Sequence, residues 1–182
     1  WSSDVCSSDL NLINGVSCLY YDSMPSIFIG GQVTTARNRA KELGVRQLGF
    51  QESPHADLMR PVTKYSTTVT DSAEIRYELE KAVYIAKEGR PGPVFLDICD
   101  DVQREEVDPE ALRGFVPDVV APRRNGGSGP LDAAAEEVMS LIAQAERPVL
   151  AFGGGIRLSG ATEAAVRFGE VAGIPMALSW AA

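Results

Sequence analysis

Apolar and polar positions along the chain follow two different periods, which alternate from one end to the other. Apolar residues three and four positions apart predict amphipathic helices, and short continuous apolar runs bounded by turn residues predict buried strands. In the first part of the chain these patterns predict helices over 11–22, 53–60 and 72–88 and strands over 26–29, 65–69 and 94–98. Helices that alternate with buried strands are typical of an α/β fold with a mostly parallel sheet.

The segment GRPGPVFLDI at residues 89–98 joins the last of these helices to its strand. Gly89 is a typical helix stop, and Pro91 and Pro93 force an extended approach to the strand that follows. A helix, a rigid corner and a buried strand in succession indicate an α/β unit.

The composition changes at residues 104–130, which contain four prolines and the run NGGSG with little periodicity. A second α/β run follows, with helices over 131–145 and 160–172, strands over 148–152 and 175–179, and a glycine turn at 153–155. This spacing suits a right-handed βαβ unit on a parallel sheet. We therefore predict one α/β domain over 11–103, a linker over 104–130 and part of a second α/β domain over 131–182.

Charge and hydropathy restrict the class of protein further. The chain of 182 residues is 45% hydrophobic, and no apolar run approaches the ~20 residues of a membrane helix. A formal net charge of -8 argues against a nucleic-acid partner, because phosphate binding relies on clustered Lys and Arg. The cysteines lack metal-ligand spacing, so Cys18 and Cys99 are predicted to be buried thiols of a cytoplasmic protein.

Several motifs in this order resemble thiamine-diphosphate-dependent enzymes of the acetolactate synthase large-subunit type. They are YYDSMPSIFIGGQV at 20–33, GFQE at 49–52, PVTKYS at 61–66, GRPGPVFLDI at 89–98, ERPVLAFGGGI at 146–156 and AGIPMALSW at 172–180. The resemblance implies that 11–103 is the C-terminal part of a parallel-sheet, pyrimidine-binding domain. It also implies that 131–182 opens a Rossmann-like central α/β domain.

Both ends of the chain are abrupt against this resemblance, which predicts an interior fragment. Residues 1–10, WSSDVCSSDL, resemble translated sequencing-adapter sequence and stand where the family has a glycine-rich loop. They are predicted to be non-native; the alternative is a genuine disordered tail. In such enzymes an activating Glu lies upstream of every motif present here. No Gly-Asp-Gly of the downstream diphosphate–Mg²⁺ site occurs in the chain.

The resemblance assigns roles to four polar or aromatic residues. Gln51 matches the family's glutamine beside the reacting carbons, and Phe50 matches a wall of the substrate pocket. An amide suits this place because it hydrogen-bonds a 2-oxo acid without taking up a proton. Asn11 and Gln32 are predicted to bind the cofactor. The alternatives are a surface role for Gln51, a helix cap for Asn11 and a backbone anchor for Gln32.

Other candidate residues have weaker signals. Gly153, Gly154 and Gly155 match glycines that contact FAD in acetolactate synthases, although the spacing is not a dinucleotide-binding fingerprint and a packing turn is the alternative. The loop over 34–49 is longer than in the family and carries four basic residues, which indicates either an anionic substrate or a solvated loop. His55 is predicted to be a solvated helix-start histidine.

The function implied is that of a thiamine-diphosphate-dependent 2-oxo-acid decarboxylase and carboligase. A 2-oxo acid loses CO2, and the resulting carbanion passes to an acceptor. Mg²⁺ would bind through an absent C-terminal domain, FAD is an optional cofactor, and a homodimer or tetramer is expected. This fragment alone is predicted to be inactive. The alternative is a non-catalytic nucleotide- or cofactor-binding α/β module.

Overall fold

A computed structural model of the chain describes residues 8–50, 52–117 and 131–179. The chain divides into two compact units, residues 1–123 and 124–182. Each unit is described by itself below.

Within residues 8–50 and 52–117, the first unit contains three strands and four helices in alternation. The helices are α1 (Ser8–Tyr21), α2 (His55–Met59), α3 (Ile75–Lys87) and α4 (Asp100–Gln103). The strands are β1 (Ser26–Gln32), β2 (Tyr65–Val69) and β3 (Pro93–Cys99), with 3₁₀ turns at Arg60–Val62 and Ser72–Glu74. All three strands are parallel in the order β1-β3-β2, so β3 is central. The predicted α/β class with a parallel sheet is confirmed.

Alternate residues of β3 build two apolar layers, one on each face of the sheet. Val94 and Leu96 are fully buried in a cluster with Ala82 and Ala86 of α3. Phe95 is fully buried on the other face, in a cluster with Val16 of α1 and Met59 of α2. The central strand is therefore covered by helices on both faces, as its continuous apolar run predicts.

The helix ends of the first unit follow the sequence signals. The carboxylate of Asp71 accepts the backbone N–H of Ala73, which caps the turn before α3. Gly89, just after α3, adopts a φ of +59°, where glycine carries no steric penalty. The Lys64 ammonium donates to the carbonyl oxygens of Ile85 and Glu88, where a cation suits the negative end of the helix.

Residues 104–117, within the predicted linker, are irregular but lie against α3. The Phe115 ring contacts the Tyr77 and Tyr84 rings, with centroids 5.4 and 5.6 Å away. The Glu80 carboxylate accepts the backbone N–H of Phe115 at 2.7 Å. These contacts attach the segment to the first unit.

The second unit contains three helices and two strands within residues 131–179. They are α5 (Leu131–Gln144), β4 (Leu150–Phe152), α6 (Gly155–Leu158), α7 (Thr162–Ala172) and β5 (Met176–Leu178). The two strands pair in parallel, as predicted for a βαβ unit. Gly169 of α7 lies so close to the exposed Met176 that an added Cβ would stand 2.3 Å from its Sδ and the Met176 side chain would have to move.

The local predictions for the start of α1, the end of β1 and the burial of Cys18 were wrong. α1 begins at Ser8 rather than residue 11, and β1 continues through the glycines to Gln32 rather than ending at Ile29. Cys18 is exposed, because it lies on the face of α1 opposite the buried Val16. Cys99 is buried as predicted. Among the helices of the described segments, none is long and apolar enough to cross a membrane.

The two described cysteines are expected to differ in reactivity. Burial raises the pKa of the Cys99 thiol to about 11, so it holds little thiolate at mildly alkaline pH. Iodoacetamide should modify Cys18 more than about tenfold faster than Cys99. Peptide mapping by mass spectrometry measures both rates, and urea should remove the difference. Equal rates in the folded chain would contradict the burial of Cys99.

Candidate functional site

A long loop leaves the C-terminal end of β1 and returns to α2, enclosing a cavity of about 800 Å³ against β2. Ligands of parallel α/β sheets gather at the carboxyl ends of the strands, where Gln32 ends β1. Most of the residues that line the cavity have polar side chains, although apolar atoms make up the larger part of its exposed wall. The lining residues are Gln32, Asn38, Ala40, Lys41, Glu42, Val45, Arg46, Glu52, Ser53, Pro54, Ala56, Asp57, Arg60, Ser66, Thr67 and Thr68. This cavity is the candidate site of the first unit.

Gln32 connects the sheet to the loop. Its side chain is 2% exposed, and its Nε2 donates to Asp97 Oδ2 at 2.8 Å and to the Ser53 carbonyl oxygen at 2.7 Å. Its Oε1 accepts the Val33 backbone N–H at 2.9 Å. Both amide hydrogens are therefore engaged, and a ligand can reach only the second lone pair of Oε1. The contacts with the Ser53 carbonyl oxygen and the Val33 N–H support the alternative prediction that Gln32 anchors the backbone.

Asp97 is a fully buried carboxylate in the middle of β3. It points to the same face as Phe95, toward α2, whose first residue is His55. His55 Nδ1 lies 3.5 Å from Asp97 Oδ1, the distance of an ion pair when the imidazole is protonated. His55 is 7% exposed, so its prediction as a solvated residue was wrong. The predicted start of this helix at residue 53 was also wrong, since α2 begins at His55 after Pro54.

Glu52 organises the loop from its other end. Its carboxylate accepts the backbone N–H groups of Ala40 at 2.8 Å, Leu48 at 2.6 Å and Gly49 at 2.9 Å. Partial burial disfavours the charged form, but these backbone donors outweigh it and hold the pKa of Glu52 below its usual value. The ionised carboxylate therefore closes residues 40–49 into a compact turn.

Asp101 fixes the first residues of the loop. The Thr35 hydroxyl and its backbone N–H, at 3.0 Å, both donate to the Asp101 carboxylate, and they lower its pKa. The amide of Asn38 also lies near the buried thiol of Cys99, with Nδ2 and Sγ 3.9 Å apart. The loop is thus tied to the C-terminal end of β3 at its start and to Glu52 at its end.

The charged groups of the cavity wall are unevenly paired. Asp57 accepts from Arg60 at 2.7 Å and lies 3.7 Å from Lys41 Nζ, while Glu42 pairs with Arg39 at 2.9 Å. Arg46 has no carboxylate within ion-pair distance among the described residues. Of the four basic residues in the loop, Lys41 and Arg46 line the cavity, whereas Arg37 and Arg39 do not.

The predicted site residues meet different outcomes. Gln51 lies outside the described residues. The Phe50 ring is 82% exposed and does not line the cavity. Asn11 lies inside α1, three residues after its start, so the alternative role as a helix cap was wrong. Gly153 and Gly154 lie in the turn between β4 and α6 of the second unit, as predicted, whereas Gly155 is the first residue of α6.

Sequence reasoning missed Asp97 and Glu52. A signal for Asp97 was available, since an aspartate inside the apolar run Val94–Ile98 must be buried and therefore partnered. Glu52 belongs to the GFQE motif, but the resemblance assigned it no role, and its partners are backbone groups of a loop without regular pattern. In the segments that the structure describes, no group of three His, Cys, Asp or Glu residues could hold a metal ion.

Known proteins similar to this chain are acetolactate synthases. The acetolactate synthase large subunit of Corynebacterium glutamicum is 36% identical over 168 residues, which cover 91% of this chain and 25% of that protein. The chloroplastic acetolactate synthase of Arabidopsis thaliana is 34% identical over 175 residues, covering 92% of this chain and 23% of that protein. Over nine-tenths of its length the chain is similar in sequence to acetolactate synthase large subunits. The resemblance predicted from its motifs is confirmed.

The match covers only part of each relative, and a solved structure shares the fold. The chain spans about a quarter of the length of these curated acetolactate synthases. A solved structure from Mycobacterium smegmatis, named as a thiamin diphosphate-dependent enzyme, matches with a TM-score of 0.67 at 22% identity. That match covers 97% of this chain and 31% of the other, and it supports the fold. No family model matches the chain.

Proposed function

We propose that this chain is part of a longer thiamine-diphosphate-dependent enzyme that decarboxylates a 2-oxo acid and transfers the product carbanion to an acceptor. The observation that carries the proposal is the match to acetolactate synthases over nine-tenths of the chain. Residues 11–103 then belong to the pyrimidine-binding domain, 104–130 form the linker and 131–182 open the central domain. The cavity at the sheet edge fits the substrate side of such a site.

The described residues fit one end of the cofactor better than the other. The described segments contain no group of three His, Cys, Asp or Glu residues that could hold a metal ion. In this proposal Mg²⁺ and the diphosphate that it holds are assigned to another part of the complete protein. The carboxyl edge of the sheet suits the aminopyrimidine end, where the free lone pair of Gln32 would contact the ring. Asn11 does not line the cavity, and the resemblance alone assigns it to the cofactor. The activating Glu and the Mg²⁺ ligands would come from other parts of the complete protein.

The residues of this chain would act on the substrate through position and hydrogen bonding. Bound thiamine diphosphate supplies the electron sink for the carbanion left by CO2 loss. Gln51 would donate a hydrogen bond to the 2-oxo acid, and an amide there cannot remove a proton from it. Phe50 would form a wall of the pocket in the complete protein, since its exposed ring is free to be covered. We also propose a cytoplasmic homodimer or tetramer.

Flavin binding at Gly153–Gly155 is a separate proposal, supported by the match of this turn to the acetolactate synthases alone. The turn leads into a helix of four residues, so the contact would come from backbone N–H groups of the turn itself. Flavin absorbance in the purified complete protein would support it, and colourless protein that takes up no added FAD would refute it.

The activity is tested by incubating the complete protein with thiamine diphosphate, Mg²⁺ and a panel of 2-oxo acids. We expect CO2 release from at least one acid, and release should require the cofactor. The same protein without thiamine diphosphate is the control. Absence of CO2 from every acid, with intact cofactor binding, would favour the non-catalytic binding module instead.

The cavity also leads to an expectation about the substrate. Arg46 lines it with no carboxylate partner among the described residues, so an anionic group of the substrate can pair there. In the complete protein, Arg46→Gln should raise KM about tenfold with little change in kcat, because a remote charge contributes uniform binding. Arg37→Gln is the matched control, since Arg37 lies on the same loop outside the cavity. Equal KM values for both variants would favour the alternative, in which the loop is solvated and does not bind the substrate.

A further inference from the structure

The turn between the cavity loop and α2 is held from two sides. On the loop side, the Glu52 carboxylate collects three backbone N–H groups from residues 40–49. On the sheet side, Gln32 joins the Ser53 carbonyl oxygen to the Asp97 carboxylate, and His55 approaches the other oxygen of Asp97. Glu52, the loop-side attachment, is the last residue of the Phe-Gln-Glu motif, and Ser53 follows it directly.

We propose that Asp97 and Glu52 are positioning residues, which set where this turn stands at the cavity. The inference rests on the proposed function. Neither side chain acts as an acid or base toward the substrate, because Asp97 is fully buried and the Glu52 carboxylate is occupied by backbone donors. Their effect reaches the substrate through the turn that they hold.

The stability of the sheet alone does not account for Asp97. Its neighbours in β3 from Val94 to Ile98 are apolar and buried, and an apolar residue at its place would avoid the desolvation of a carboxylate. Both partners of Asp97 lead to the same turn, Gln32 through the Ser53 carbonyl oxygen and His55 through the start of α2. A buried polar group retained at a cost in stability is best explained by the geometry that it specifies.

The catalytic consequence is measured in the complete protein with Asp97→Asn and Glu52→Gln. Each variant should lower kcat at least about tenfold, while KM and the affinity for thiamine diphosphate stay within about threefold. Asp100→Asn is the control for Asp97, since it pairs with Arg104 on the surface. Glu80→Gln is the control for Glu52, because Glu80 also accepts a loop N–H but stands outside the cavity. Both controls should keep full kcat.

If Asp97 and Glu52 only stabilise the fold, the result will differ. Their substitution would then lower the melting temperature and the fraction of active protein, while kcat per cofactor-loaded site stayed unchanged. This outcome would overturn the inference. Should Asp97→Asn fail to fold, Glu52→Gln decides alone, because Glu52 is only half-buried near the surface.

Amide hydrogen exchange in the 182-residue chain separates this inference from the proposed function. Glu52→Gln should speed exchange at Ala40, Leu48 and Gly49 about tenfold, whereas Glu80→Gln should leave these amides unchanged. Unaltered exchange would overturn the positioning role whatever the enzyme does. Suppose that exchange is faster in the Glu52→Gln chain, but the complete protein without substitutions decarboxylates no 2-oxo acid. This result would refute the proposed function and leave only the anchoring of the loop.

Discussion

Replacing Gln51 by alanine in the complete protein is expected to lower kcat about 100-fold, the usual effect of removing one hydrogen-bond donor aimed at reacting atoms. Affinity for thiamine diphosphate should remain within about threefold, because Gln51 is assigned to the substrate side of the pocket. Steady-state kinetics of decarboxylation and calorimetric titration with the cofactor measure the two quantities.

Gln144→Ala provides the control for this experiment. Gln144 ends α5, where its amide bonds Ser140 at an exposed surface, so its loss should leave kcat unchanged. Full activity of the Gln51→Ala protein would remove Gln51 from the site. A loss of cofactor affinity equal to the loss of kcat would move it to the cofactor side.

Replacing Phe95 by alanine is expected to destabilise the first unit by ~3–5 kcal/mol. Its ring is fully buried in the central strand and lies against Val16 and Met59, so truncation leaves a cavity between the sheet and two helices. Phe50→Ala makes the same chemical change at a ring that is 82% exposed, and it should cost less than ~0.5 kcal/mol. Urea denaturation of the chain, followed by circular dichroism, compares the two. Similar losses would contradict the assigned core.

The sequence predicted those elements whose local signals agree with their burial. The strand over Tyr65–Val69 has the predicted bounds, because polar turn residues flank a short run of strand-forming side chains. The helix before Gly89 ends where glycine adopts a positive φ, and the strand after Pro91 is buried throughout. Motif order then identified the family without any structural information.

What the sequence could not predict depends on contacts between distant segments. His55 was predicted to be solvated because no neighbouring residue in the sequence signals its burial. In the fold it lies against Asp97, on a strand 42 positions away in the chain. Glu52 belongs to the GFQE motif, but its role could not be predicted, because its partners are backbone groups of a loop with no regular pattern. Cys18 shows the reverse error, since apolar neighbours in sequence do not tell which face of α1 is covered.

The measurement that tests the account most directly is calorimetric titration of two proteins with thiamine diphosphate and Mg²⁺. The complete protein should bind the cofactor tightly and only when Mg²⁺ is present, because the diphosphate is held through the metal. The 182-residue chain should bind weakly, show little dependence on Mg²⁺ and release no CO2 from any 2-oxo acid. Tight, Mg²⁺-dependent binding by this chain alone would contradict the assignment of its residues to the pyrimidine side of a shared site.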